Sequence, residues 1–424
     1  MTKEFFILNF FRLYNILWAL VLPFLAKHNR LKPGFSKRVH MRHHRKADIW
    51  IQAASAGEAY LAVHLIKTLV PEKPTKILAT TITRQGMDIL KSQLTRTRLH
   101  PLIQLKIEWS PFDKPSIIKQ AVHIIHPEIM ILLETEIWPA LLWYLKRNRT
   151  RIYIVNARLS AKSVSQYQKS IFLWKHLAPD MILATSDLYA DRYRQIFKTA
   201  RVHTMANIKF ESMDSDLQDN TDACKQIEHL LPKSLPLTVL ASIRKPEEKD
   251  VLKILKAITT EYPDQVVAVF PRHMHRICAW ENHLKRHKLN YRLKSCISDP
   301  VKTPQIILWD TFGELKTVYS FARVVFVGAS LKPLGGQNFI EPAVTGAVTI
   351  TGPYYDDFAW ASDTITEHIV IQKATWTQVK KAIVTALENP CDRSWKKQKA
   401  FDYILSRRGG TRTAWQKILK AFDE

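Results

Sequence analysis

The sequence predicts an α/β protein of two doubly wound domains facing each other across a cleft, preceded by a hydrophobic membrane-anchor helix. Three observations carry this. Short apolar runs alternate with helix-periodic ones from residue 48 onward. That alternation breaks once, at a polar stretch after Asn207, and then restarts. The first 26 residues are almost continuously apolar.

The opening segment, MTKEFFILNFFRLYNILWALVLPFLA, is interrupted by Asn9, Arg12, Asn15 and Pro23. No small-residue cleavage site comes after it, which argues against a removable signal peptide. The next twenty residues are basic instead, with Lys27, Arg30, Lys32, Lys37, Arg38, Arg42, Arg45 and Lys46. Lysine and arginine accumulate on the cytoplasmic side of a membrane, so residues 1–30 read as an anchor with the main body on that side. Spanning and in-plane insertion both fit this composition.

From residue 48 the strand-like runs ADIWIQAA, TKILATT, LIQLKIEW, EIMILLE, RIYIVN and MILATS are each trailed by a helical pattern. Short buried strands alternating with helices specify βαβ units and a parallel sheet. They give a first domain over 31–208, then a linker over 209–232 built around ESMDSDLQDNTD. LPLTVLAS, QVVAVFP, QIILWD, RVVFVGA and VTITG give a second domain over 233–390. A basic helical tail over 391–424 is expected to pack back on the first domain.

Lys plus Arg number 63 against 38 Asp plus Glu, a net charge of +25 that calls for an anionic partner: nucleic acid, a membrane face or a phosphorylated substrate. Cys224, Cys278, Cys296 and Cys391 lie far apart without a CxxC pair, which fits a reducing compartment and no zinc site. Only 11 glycines occur, where average usage gives roughly 30. Gly57, Gly313, Gly328, Gly335, Gly336, Gly346 and Gly352 sit where strands end or helices begin, the places where an open α/β sheet binds its ligand. Neither GxGxxG nor GxxxxGK[ST] is present, which disfavours a nicotinamide enzyme or a P-loop ATPase.

Six stretches carry candidate chemistry. In QAASAGEAYLAVHL, Ser55 and Glu58 form the spacing of a capping box, the reading that spacing alone favours over a base, and a glutamate turned into a cleft is expected not to close the box as well. In LLETEIWPALLW, Glu134 and Glu136 end a buried strand; if the strand continues they point to opposite sides, leaving one for a cleft while the other caps the helix or pairs with an arginine. The loop VNARLSAKS offers Arg158, Ser160 and Lys162 to phosphates or carboxylates. FPRHMHR sets Arg272 and Arg276 at a strand end, with His273, His275 and Cys278 too few and too scattered for a metal site. The stretches WDTFGEL and GASLKPLGGQNFIEPAVTGA place Gly313 and Glu314, then Gly335, Gly336, Asn338 and Glu341, at helix starts suited to an anion. Asp214-Ser215-Asp216 spells DxD but falls in the polar connector and is discounted as a metal site.

Taken in order, S-x-GE, Thr81 and Thr83, ETEIWP, NARLSAKS, ATS-D, NIKF, RH-x-x-R, DTFGEL, GGQN-x-IEP and a glycine-proline near 352 resemble the 3-deoxy-D-manno-octulosonic acid (Kdo) transferases of lipopolysaccharide biosynthesis. The resemblance covers nearly the whole chain. It implies the GT-B architecture of two Rossmann-like domains, an acceptor-binding first domain and a donor-binding second one. It further implies inverting transfer of Kdo from CMP-Kdo to a lipid A precursor (lipid IVA) at the cytoplasmic face of the inner membrane, with no metal ion and no cofactor.

Carried over by motif, Glu58 matches the family's base and Glu136 its second carboxylate. Arg272, Arg276, Gly313, Glu314, Asn338 and Glu341 match donor-binding segments, with Lys209 beside the leaving phosphate. Ser55, Arg84, Arg158, Ser160 and Lys162 fall on the acceptor side. The helix start is expected to keep Glu58 ionised and therefore a weak base. Five positions depart from the family pattern: Ala56 replaces valine, Ala206 and Ala329 replace glycines, and Met274-His275 interrupt RHPER. A nucleic-acid binder would explain the charge but needs neither an apolar amino terminus nor strand-end carboxylates. An inactive membrane-tethered scaffold and a different GT-B enzyme are the other readings.

Overall fold

The computed structural model describes residues 3–28, 31–40, 45–95, 97–213, 222–231 and 234–423. The chain divides into two compact units, Met1–Ser212 with Arg407–Glu424, and Met213–Ser406. Each is built on its own seven-stranded sheet.

The first sheet comprises β1 (Ile49–Ala53), β2 (Thr75–Thr81), β3 (Ile103–Trp109), β4 (Ile129–Leu133), β5 (Arg151–Ala157), β6 (Met181–Ala184) and β7 (Arg201–Thr204). Every pairing is parallel, in the order β3-β2-β1-β4-β5-β6-β7. β1 is entirely buried because helices cover both faces, and so its residues Ile-Trp-Ile-Gln-Ala show no polar alternation. Trp50, Met130 and Ile152 face one core, Ile51, Ile131 and Tyr153 the other. The strand order reverses between β1 and β4, the point at which doubly wound sheets open a crevice at their carboxyl ends.

The N-terminal helix Lys3–Lys27 joins the first of these cores through Ile7 and Phe11, both buried. Its Tyr14 hydroxyl donates to Asp113 at 3.0 Å, and its Asn15 accepts from the amide of Ser116 at 3.0 Å. The opposite face leaves Phe6, Leu13, Leu17, Leu20 and Phe24 exposed, Phe24 by 76%. Length and composition would let the stretch Phe5–Lys27 cross a membrane. One stripe is nonetheless committed to the protein.

The second sheet comprises β8 (Leu237–Ile243), β9 (Val266–Pro271), β10 (Tyr291–Leu293), β11 (Gln305–Leu308), β12 (Val324–Val327), β13 (Val348–Thr351) and β14 (Val370–Gln372). Its order, β10-β11-β9-β8-β12-β13-β14, reverses between β8 and β12. The core packs Leu240, Val267, Phe326 and Ile350 against Trp280 and the helices Glu248–Glu261 and Trp376–Glu388.

Two boundaries differ from the sequence reading. The stretch 209–232 is not one linker: the 3-10 turn Ile208–Met213 packs in the first unit through Ile208 and Phe210, and the helix Asp222–Leu230 belongs to the second through Ile227 and Leu230. Only a few buried side chains fix each piece, too few to outweigh the polar composition. Asp214, Ser215 and Asp216 lie outside the described residues. The tail from 391 is likewise divided. Helix Arg393–Ser406 stays in the second unit, where the Arg393 guanidinium donates to carbonyls of Tyr319, Ala322 and Thr345. Helix Gly410–Asp423 joins the first, burying Ala414 and Ile418 and donating from Trp415 Nε1 to Leu65 O at 2.9 Å. Gly410 is required there, because a Cβ would collide with the Ala206 carbonyl.

Candidate functional site

The carboxyl ends of β1, β4 and β5 gather acidic and basic side chains at the point where the first sheet reverses. After β1 the chain turns at Ser55, whose hydroxyl caps helix Ala56–Thr68 by accepting from Glu58 N at 3.3 Å. Glu58 folds back over the same turn. Its Oε1 accepts from Ser55 Oγ at 2.8 Å and its Oε2 from Ala54 N at 2.7 Å. This is a capping box displaced by one residue, since the amide engaged is Ala54 rather than the cap itself.

β4 ends at Leu133, and Glu134 takes a left-handed conformation, φ 54°. Such a φ is strained for a residue with a Cβ, and the surrounding contacts hold it. The strand therefore stops short of Glu134 and Glu136 and its alternation does not reach them, whereas the expectation that one of the pair engages an arginine holds at Glu134. Glu134 is buried between the Arg158 guanidinium and Lys209 Nζ, the latter at 2.7 Å from Oε1. Glu136 accepts from Trp138 Nε1 and from the Gln52 side chain of β1.

β5 completes the cluster. Asn156, also left-handed at φ 57° and fully buried, accepts from Ile208 N at 2.9 Å, which fixes the turn carrying Lys209. Thr135 and Tyr193 both donate to the Arg158 carbonyl, at 2.7 and 3.2 Å. Three carboxylates and two cations thus share one buried edge.

Burial pushes the Glu58 carboxyl above the ordinary glutamate range; the Ala54 and Ser55 hydrogen bonds and Arg158 oppose the shift, and Glu134 adds to it. The expectation that the helix start dominates is corrected, because desolvation outweighs it. Burial first, and the Glu58 charge second, push Glu136 up to about 7 from 4.5. The fold therefore holds this proton more tightly than the unfolded chain does. The stability that this proton contributes is complete below the unfolded value and is lost as pH rises through about 7. Melting temperature should fall between about pH 5 and about pH 8, and Glu136→Gln should shrink that fall. Equal pH slopes in both proteins would rule the effect out.

Other acceptor-side candidates are more dispersed. Ser160 caps helix Ala161–Gln168 by accepting from Ser163 N at 3.1 Å. Lys162 and Arg84 are exposed in the first turns of their helices, and the ion pairs to the cluster come from Arg158 and Lys209 instead. Lys209, expected on the donor side, lies in the first unit on Glu134.

In the second unit the candidates divide. Arg272 is exposed after β9. Arg276 is engaged elsewhere: its Nε and Nη2 form a bidentate pair with Glu248 at 2.9 and 2.6 Å, tying two helix starts together. Glu314 accepts from Trp309 Nε1 at 2.7 Å, Lys294 Nζ at 2.9 Å and the Thr311 hydroxyl, holding the loop after β11. Gly313 in that loop has φ 89° and open space where a Cβ would sit. Asn338 donates to Glu341 at 2.9 Å and accepts from Ile340 N at 3.1 Å.

The helix starts expected to attract an anion in this unit open short helices. Helices Leu315–Tyr319 and Ile340–Ala343 are five and four residues long, too short to sum an appreciable dipole. Gly335 and Gly336, at φ 88° and 80°, are demanded by the chain itself, since Cβ atoms there would strike Asp357 and Tyr355. Sequence reasoning missed Glu247, which is fully buried and receives the backbone amides of Arg244 at 3.0 Å, Ser330 at 3.2 Å and Ala329. Its only sequence signal is a paired Glu-Glu after a β8 loop, and that reads as an ordinary helix start. Among the described residues no three His, Cys, Asp or Glu side chains gather to hold a metal.

Residues 30–212 match the family model described as 3-deoxy-D-manno-octulosonic-acid transferase (kdotransferase). The chain is 27% identical over 372 residues to the 3-deoxy-D-manno-octulosonic acid transferase of Haemophilus influenzae, covering 85% of this chain and 84% of that one. It is 27% identical over 357 residues to the enzyme of the same name from Rickettsia bellii, covering 81% and 82%. Among solved structures, a glycosyltransferase from Rickettsia africae matches with TM-score 0.60 at 12% identity, over 90% of this chain and 100% of that one. UDP-GlcNAc 2-epimerase from Neisseria meningitidis matches with TM-score 0.59 at 10% identity, over 88% and 99%. At those identities the structural matches speak for the two-domain α/β fold alone.

Proposed function

We propose that this chain, a glycosyltransferase of the Kdo transferase family, moves Kdo from CMP-Kdo to the sugar backbone of a lipid A precursor (lipid IVA) with inversion, Glu58 serving as the base. The observation that carries the proposal is the placement of Glu58 at the reversal point of the first sheet, beside Glu134, Glu136, Arg158 and Lys209.

The chemistry needs one proton acceptor. The acceptor hydroxyl gives its proton to Glu58, its oxygen bonds to the anomeric carbon of Kdo, and the bond to phosphate breaks so that CMP leaves with the electron pair. Burial makes Glu58 a stronger base than a solvated carboxylate, and the Ala54 and Ser55 hydrogen bonds hold it in one orientation. The Glu134 charge reinforces that basicity, while burial and the Glu58 charge hold Glu136 above the ordinary glutamate range. Arg158 and Lys209 offset the Glu134 charge and so lessen the repulsion that this edge would offer an anionic sugar lipid. On the donor side Arg272 is the arginine left for the departing phosphate, since Glu248 occupies Arg276. The reaction so written requires no metal ion.

The N-terminal helix supports a location at the cytoplasmic face of the inner membrane. One stripe docks on the first unit and the other is apolar and exposed, the distribution of a helix lying in the interface plane with its basic flank at the headgroups. Incubation with tetraacylated precursor and CMP-Kdo should yield a lipid heavier by one or more Kdo residues in the mass spectrum. Transfer from a UDP-sugar instead, or no product with either donor, would sink the proposal.

A further inference from the structure

Beneath the N-terminal helix lies a cavity of about 130 Å³ whose walls are mainly apolar: Trp18, Leu25, Leu31, Phe112, Ile118 and Leu141. Arg38 also lines it and is fully buried. The guanidinium is held between aromatic rings, 4.6 Å from the centre of Trp109 and 5.5 Å from that of Phe112, and donates to the Ile82 carbonyl. Its Nε has no hydrogen-bond partner among the described residues. No ion pair among them compensates it, although a carboxylate lines the same cavity: Asp113 is taken up by Tyr14 and by the amides of Ala140 and Leu141.

An unmatched buried donor is costly, and buried polar groups in folded proteins almost always find a partner. Here the partner must fit an apolar cavity and offer an oxygen. One wall of the cavity belongs to the helix whose outer face, Leu17, Leu20 and Phe24, is exposed and apolar. The other end abuts the carboxylate cluster, because Gln52 and Trp138 line the cavity and also hydrogen-bond Glu136.

We propose that this cavity takes the carbonyl-proximal part of a fatty acyl chain, with an ester or hydroxyl oxygen of that chain accepting from Arg38 Nε. The chain belongs either to the sugar-lipid acceptor, in which case the pocket rests on the function proposed above and reads acylation, or to a phospholipid of the surrounding bilayer. Both sources present the same chemistry to Arg38.

The test uses the full-length protein on phosphatidylglycerol vesicles carrying a photoactivatable diazirine in the acyl chain. Ile118 and Leu141 are 1% exposed, so label on either reports the cavity rather than the membrane-facing surface. Label there, abolished by Leu25→Trp, supports the pocket; label confined to the exposed face of the N-terminal helix overturns it. Competition by tetraacylated acceptor but not by its fully deacylated form assigns the chain to the acceptor. In that case Leu25→Trp should raise KM for the acylated acceptor about tenfold and leave KM for the deacylated one unchanged. Competition by phospholipid alone assigns it to the bilayer. Should Leu25→Trp misfold, Leu31→Phe, also in the cavity wall, serves the same purpose. Labelling of Ile118 or Leu141 in a protein that transfers no Kdo would retain the pocket and sink the function, so the two failures are separable.

Discussion

Glu58→Gln is expected to lower transfer from CMP-Kdo by about 10²–10⁴-fold, the range of a lost general base, with folding intact. The geometry makes this substitution a clean separation of two roles. Glutamine keeps the length of the side chain and one carbonyl oxygen, which can still accept from Ala54 N as the carboxylate does. Its amide can donate to Ser55 Oγ, whose hydroxyl hydrogen is free to rotate. The structural loss is therefore on the order of 1 kcal/mol or less. Removing a negative charge from beside Glu136 and Glu134 offsets part of that. A glutamate that only capped helix Ala56–Thr68 would tolerate the exchange with kcat changed by a few-fold at most. Ser55→Ala provides the opposite control: it removes the cap at a cost of about 1 kcal/mol and leaves the base in place. The measurement is kcat at saturating CMP-Kdo with melting temperatures for both variants, and transfer by Glu58→Gln near the wild-type rate would end the case for Glu58.

Capping and basicity are compatible at Glu58, although the residue pattern presents them as alternatives. A glutamate that closes this turn does not leave the reactive edge, because the turn itself sits at the reversal point of the sheet. Each oxygen accepts a single hydrogen bond and keeps a lone pair. Burial, invisible in the sequence, then sets the direction of its pKa.

Periodicity encodes burial, and this decides which elements the sequence reveals. Central strands covered on both faces are continuous apolar runs, so β1, β4, β8 and β12 stand out. Three of the four edge strands, β7, β10 and β14, are three or four residues long and only partly buried, and Arg-Val-His-Thr carries no such signal, whereas the fourth, β3, runs seven residues and is legible. Edges are kept short and polar in natural sheets, and this hides them from pattern reading. Alternation does not reach Glu134 and Glu136, because it presumes an extended backbone and a single left-handed residue ends the strand before them. Arg276 illustrates a different limit. Its type and position suit a phosphate, but Glu248, 28 residues earlier in the chain, consumes the fork. Residue type identifies what a side chain can bind; only the fold decides what it does bind.

The second large effect is expected at Glu247, where Glu247→Ala should destabilise the second unit by about 4 kcal/mol. The carboxylate occupies the end of the second sheet where the order reverses, and there it accepts from the amides of Arg244, Ala329 and Ser330, with Leu331 N at 3.4 Å. Burial raises its pKa despite those bonds. Alanine would leave buried amides unmatched, each at a cost of about 1–3 kcal/mol, of which entering water recovers a part. For a unit of this size the loss corresponds to a fall of roughly 8–16 °C in melting temperature. Ala329 depends on the same carboxylate, since it adopts φ 56°, and its neighbours Ser330 and Gly352 clasp the loops after β12 and β13 through a 2.8 Å bond. Release of that clasp should weaken CMP-Kdo binding along with stability. The decisive comparison is Glu247→Gln. The carboxylate oxygens of Glu247 accept from backbone N–H donors, so an amide NH₂ in place of one oxygen would meet donors head-on. Glutamine should therefore be nearly as damaging as alanine, the reverse of its mild effect on folding at Glu58. A Glu247→Gln protein that melts with the wild type would show that the amides do not need a carboxylate.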